Sequence, residues 1–186
     1  MSDRTRVLTA IPDLSPGVGF YFAGMEEVRQ QVQESMATMS AEDIGRPAVP
    51  GAHSIGALVL HIGEAEWWWM KCIVSGHKLT AEDRSAPFWD VLKNPESFAG
   101  KSYSAEFCLD EATKVRKQTR ELLARFTDDD LERIFTSERR GVTYDHSLRW
   151  ILHHLIDHEA QHKGQILMLK RLLGVGNDGH STSSAT

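Results

Sequence analysis

Trp150-Ile-Leu-His-His-Leu-Ile-Asp157-His158-Glu159-Ala160-Gln161-His162-Lys163-Gly164-Gln165-Ile-Leu-Met-Leu-Lys-Arg-Leu-Leu173 is an apolar run carrying a cluster of histidines. Read as a helix, it places positions four apart about 40° from one another around the axis and about 6 Å apart along it, so His158 and His162 share a face. Neutral imidazole is the commonest protein metal ligand, and a helical turn fixes the bite of two of them before any ion arrives. Such a pair alone also fits two polar residues at the edge of a core. Four of the nine histidines, however, fall within ten residues: His153, His154, His158 and His162. Buried imidazoles without partners cost desolvation, and a metal ion supplies the partner. The third ligand must come from another part of the chain.

Outward from this helix, 186 residues with 41% hydrophobic content predict one domain, residues 1–175, followed by a small polar tail, 176–186, expected to be disordered. The net charge of −5 and the absence of a basic run argue against nucleic acid or an anionic membrane as partner. No cationic start precedes an apolar segment, no run of about eighteen apolar residues occurs, and Cys72 and Cys108 lack CxxC spacing. A cytoplasmic protein with two free thiols is expected.

Ser15-Pro16 predicts the start of a first helix reaching about Met39, with Phe22, Met25, Val28, Val32 and Met36 inward. Ser54 caps a second to about Ser75, ended by Gly76, and Ser104 a third to about Phe126 with Lys114, Arg116, Lys117 and Arg120 largely outward. Ser137 to Tyr144, with Gly141, reads as a short hairpin-like lead into the last helix, which ends at Leu173. The aperiodic stretch from Gly76 to Tyr103 is long for a connection and carries Phe88, Trp89, Val91, Leu92 and Phe98, so it is expected to pack over the bundle. The expected fold is all-α: an up-and-down four-helix bundle with a long crossover between the second and third helices.

In the second helix His61 borders the stripe Ile55, Leu58, Val59, Ile62 and is placed to face the His158/His162 turn. Glu64, three residues on, is a candidate for a fourth ligand, a carboxylate holding a ligand, or a proton-transfer group. Trp67-Trp68-Trp69 fan over about 200°, so they cannot share one core. Trp68, about 20° from His61 around the axis, is the candidate for a substrate-binding wall, and the tryptophan surplus suggests a homodimer.

Three stretches carry a resemblance: Ser54-Ile-Gly-Ala-Leu-Val-Leu-His61, Leu148-Arg149-Trp150, and His158-Glu-Ala-Gln-His162-Lys-Gly-Gln165. In order and spacing the chain resembles the DinB superfamily of four-helix metalloenzymes, with Lys163 where arginine is frequent. The resemblance implies His61, His158 and His162 as ligands of a divalent ion (zinc, nickel or iron), His154 as a pocket or proton-handling residue, and Gly164 as a point of close helix approach. It also implies a metal-dependent transferase that joins a low-molecular-weight thiol (bacillithiol, mycothiol or glutathione) to a small electrophile, or a related isomerase or hydrolase. Three neutral imidazoles fit that chemistry, since they leave the ion's charge uncancelled and a position open.

Two other readings compete. A non-catalytic bundle stabilised by its metal, or serving a stress response, uses the same ligands. His158-Glu159-Ala-Gln-His162 also satisfies HExxH, with Glu159 as a peptidase base. But no glutamate follows His162, Gln165 and Met168 occupy the metzincin glycine and histidine positions, and no strand is evident to pair with a peptide. Glu159 is therefore expected to contact the site from behind its ligands.

Overall fold

The computed structural model describes residues 7–93 and 103–175; the expected tail from 176 lies outside them. Helix starts follow the hydroxyls. Ser54, Ser104 and Ser147 are extended and accept hydrogen bonds from the N–H groups of Ala57, Phe107 and Trp150, opening α3 (Ile55–Trp67), α4 (Ala105–Leu123) and α5 (Leu148–Leu172). α1 (Pro16–Met36) is capped differently: the Ser15 hydroxyl donates to Asp128, and that same carboxylate accepts from the N–H groups of Gly17 and Val18 at 2.8 and 3.2 Å. The first helix stops at Met36 rather than Met39 because Ser40 and Asp43 form a reciprocal capping box that opens the short α2 (Ala41–Gly45).

Two further expectations are corrected. The second helix does not run evenly to Ser75; it passes at Trp68 into a π-helical segment, Trp68–Val74. The all-α reading gains a small antiparallel sheet, β1 (Ile134–Arg139) and β2 (Val142–Ser147), with Ser137 opposite Tyr144. Arg140 and Gly141, at φ 54° and 75°, make the two-residue turn whose twist suits a hairpin.

Helix directions follow from side-chain pairs. Gly24 meets Ile156, Gln31 meets Lys163 and Ser35 meets Lys170, so α1 and α5 are parallel. Gly63 packs on Ala112 and Glu66 pairs with Arg116, so α3 and α4 are parallel too. His61 lies against His158 and His162 while Trp69 lies against His154 and Trp150, so α3 runs against α5. The order is up, down, down, up. The long crossover joins two parallel helices, so strict alternation fails there. Among the described residues no helix is long and apolar enough to cross a membrane.

Two apolar clusters fill the bundle. One contains Val32, Ile55, Ile62, Ala112 and Ile166; the other contains Met25, Met70, Leu123, Ile151 and Leu155. Between them each long helix inserts one charged side chain: Arg29, Glu66, Arg116 and Glu159, all at or below 5% exposure. Arg29 Nε donates to Glu159 Oε1 at 2.5 Å and its Nη2 to Glu66 at 3.3 Å; Arg116 donates at 2.8 Å to Glu66, Glu159 and the more exposed Glu26. Burial would raise the Glu66 carboxyl, but the charges of Arg116 and Arg29 outweigh it and hold it below the usual range. Arg116, expected on the solvated face, is in the core because these carboxylates are there.

Removing one member strands the others. Glu159→Ala should cost about 3–5 kcal/mol in urea unfolding, since Arg29 and Arg116 remain buried and short of a carboxylate. Replacing all four with apolar residues of similar volume should cost much less than that single change.

Candidate metal centre

α3 and α5 bring the three predicted histidines together. The His61 ring centroid lies 5.3 Å from that of His158 and 5.2 Å from that of His162, and the two α5 rings are 4.4 Å apart. One ring nitrogen from each lies within 4.8 Å of the other two. The Nε2 atoms of His158 and His162 are 3.1 Å apart. Two nitrogens bound about 2.0–2.1 Å from one tetrahedral ion would stand roughly 3.3 Å apart, so this bite fits.

The outer nitrogens are engaged as well. His61 Nδ1 lies 3.1 Å from Glu64 Oε2, and His162 Nδ1 lies 2.8 Å from Gln165 Oε1. Each oxygen accepts, so each Nδ1 carries the proton and Nε2 keeps its lone pair for the centre. Both acceptors sit three residues after the histidine they hold, one helical turn on. Burial first, and then the neighbouring His162, His61 and His154, hold His158 down to about 3. His162 is also lowered, chiefly by burial, against the upward pull of Gln165 and Glu159. At neutral pH His158 is therefore an uncharged donor, the form a cation requires.

Beside the centre runs a column of rings. His146 stacks on Trp150 at 4.4 Å, Trp150 on His154 at 4.9 Å and 7°, and His154 lies 5.9 Å from His158. Trp69 stands edge-on to His146, Trp150 and His154 at 5.0, 5.6 and 5.3 Å. The tryptophan beside the imidazoles is thus Trp69; Trp68 packs against Trp69 at 5.0 Å. Trp69 stands inside the π segment, where i→i+5 bonding advances each residue somewhat less around the axis than an α-helix does. Trp67 packs instead on Phe88 and Trp89 of the crossover, so these tryptophans have partners within the chain. Burial lowers the His154 imidazole, against the opposing charge of Asp157.

Glu159 is elsewhere than expected. Its carboxylate is taken by Arg29 and Arg116, and among the described residues it makes no hydrogen bond to the three imidazoles. A carboxylate so engaged is not a general base, which removes the HExxH reading's central residue. Gly164 is a second correction: among the described residues nothing stands within 4 Å of the position a Cβ would take, so none of them makes a close helix approach there. His180 lies outside the described residues. Sequence reasoning also missed the role of Gln165, though its i+3 spacing from His162 repeats that of Glu64 from His61.

The DinB superfamily profile matches residues 25–166. The chain belongs to the DinB superfamily. Among solved structures it is similar to YfiT from Bacillus subtilis, described as a probable metal-dependent hydrolase with an unusual four-helix bundle topology, at TM-score 0.61 and 15% identity over 94% of this chain and 96% of that one. A conserved protein from Enterococcus faecalis is similar at TM-score 0.57 and 14% identity, covering 82% of this chain and 94% of that chain. At these identities the likeness is one of fold. No curated protein matches the sequence at a significant level.

The His158 shift sets an expected pH dependence. An unfolded histidine protonates near pH 6.5, whereas folded His158 stays neutral to about 3. The unfolded chain binds more protons in that window, so stability falls as pH drops through it. In the presence of chelator, the urea midpoint should decline from pH 7 to pH 4.5, and His158→Gln should decline less steeply.

Proposed function

We propose that this DinB-family chain binds a divalent metal ion through His61, His158 and His162 and uses it to transfer a low-molecular-weight thiol to a small electrophile. The observation that carries the reading is the convergence of three imidazole nitrogens within 4.8 Å, two of their rings held in one tautomer by Glu64 and Gln165. A zinc, nickel or ferrous ion held by three neutral ligands would supply its full charge to a bound thiol, lowering the thiol's pKa toward neutrality.

The remaining residues have parts that follow from their surroundings. Neither cysteine is suited to be the nucleophile: burial, with Glu111, pushes Cys108 up to about 12, and burial, with Asp83, raises Cys72. An external thiol cosubstrate fills that role. His154, one turn before His158 and kept uncharged by burial, is placed to accept the thiol proton, while Trp69 and Trp150 form an apolar wall on the same side. Glu64 holds His61 and is a weaker candidate for proton transfer, since both its oxygens are engaged.

Elemental analysis of protein purified without added metal tests the ligands. His61→Ala, His158→Ala and His162→Ala should each lose most of the ion, His180→Ala none, and chelation should lower Tm. Full retention in all three variants would remove the site. Activity is tested with bacillithiol, mycothiol, glutathione and cysteine against model electrophiles. Loaded protein should exceed His158→Ala; if it never does, the bound ion serves the bundle's stability and not a reaction.

A further inference from the structure

Among the described residues, a hydrogen bond connects the crossover to the candidate centre. Glu64 has two acceptor oxygens, and both are used: Oε2 takes His61 Nδ1 at 3.1 Å, and Oε1 takes the backbone N–H of Asp90 at 2.8 Å. A glutamate beside a half-buried imidazole has several rotamers open to it. A second donor on its far oxygen leaves it one orientation, and with it one aim for the imidazole.

The turn that presents this N–H is itself held. Phe88 and Val91 are buried, Trp89 stands edge-on to Trp67 at 5.9 Å, and Phe88 lies 6.3 Å from the same indole. Arg84 sits over Trp89 at 5.5 Å, and His77, bonded to Asp83, stands perpendicular to Trp67. Trp67 is three residues after Glu64, so the seat of the crossover and the carboxylate it reaches occupy one turn of α3. Asp90 adopts φ 53°, a left-handed conformation that aspartate tolerates better than most side chains. Its own carboxylate turns away to Lys93. The contact with Glu64 is therefore made by backbone geometry and not by the side-chain charge.

We propose that residues 88–91 are a positioning element for His61: the Asp90 N–H fixes Glu64, and Glu64 fixes the tautomer and direction of the imidazole. Its consequence for metal affinity rests on the three-histidine reading; the contact itself does not. Groups that hold metal-binding histidines in this way typically change affinity 10- to 100-fold when removed.

The test pairs zinc affinity, by chelator competition, with NMR of the His61 imidazole in metal-free protein. Asp90→Gly keeps the N–H and relaxes φ, and should bind zinc like the wild type. Asp90→Pro removes the N–H and, with φ fixed at about −65°, also takes the turn out of its left-handed conformation; it should weaken zinc at least about tenfold, alter the His61 Nδ1–H signal, and add nothing in a Glu64→Ala background. Trp89→Ala, which leaves every backbone donor in place, should shift both readouts in the same direction by loosening the seat. The proposal is overturned if Asp90→Pro and Trp89→Ala leave both readouts unchanged, or if Asp90→Pro weakens Glu64→Ala as much as it weakens the wild type. His158→Ala separates the two ideas. Should it bind zinc as the wild type does, the metal reading fails, and the His61 signal alone then decides: unchanged in Asp90→Pro it overturns the positioning role, altered it supports it.

Discussion

Four charged side chains, one from each long helix, meet in a buried layer across the middle of the bundle. Arg29, Glu66, Arg116 and Glu159 have each given up water, and that loss is offset only while all of them keep their mutual geometry. Apolar layers above and below tolerate a helix sliding by part of a turn; a set of paired ions does not. The layer therefore fixes the registers of α3 and α5, the two helices that carry the candidate ligands. Glu159 lies between His158 and His162 in sequence, and Glu66 lies five residues after His61. Whatever holds those carboxylates on one pair of guanidiniums also holds the three imidazoles at one height.

A second constraint acts on the rings. Register brings the imidazoles together but leaves each free to rotate about its own bonds, and acceptors one turn further along the same helix limit that rotation. The device is local, so it survives small movements between helices. On α3 it is extended by the crossover, whose Phe88 and Trp89 cluster on Trp67. This is the cover that so long a connection suggested, and it reaches the centre through a main-chain donor, which leaves no signature in side-chain type.

The legible parts of the fold were those written in local chemistry. Ser54, Ser104 and Ser147 marked their helices because a cap is decided within four residues, and Gly141 marked the hairpin because its turn needs positive φ. The histidine cluster was legible because i, i+4 spacing becomes geometry without reference to anything distant. What escaped was long-range. Asp128 caps α1 from more than a hundred residues away, and Arg116 goes inward only because Glu66 and Glu159 wait there. Glu159 was drawn toward the histidines by motif, while its partners lie on two other helices. Trp68 was chosen by its angle from His61 on an unbroken α-helix, and the departure from that helix begins at Trp68 itself.

That departure bears on how the chain's length can vary. A π turn is in effect an α-helix that has taken in one residue too many for its pitch. Seven residues at this wider pitch cover about the angle that six cover in an α-helix, so losing one residue between Trp68 and Val74 would let the segment wind as an ordinary helix while everything beyond it kept its phase. The chain would still leave Gly76 toward the indole on which the crossover is seated; what would change is the aim of the side chains within the segment, Trp69 among them. Exposed connections absorb insertions and deletions with little effect; in this packed helix the wider turn is the place where a change of one residue can be absorbed.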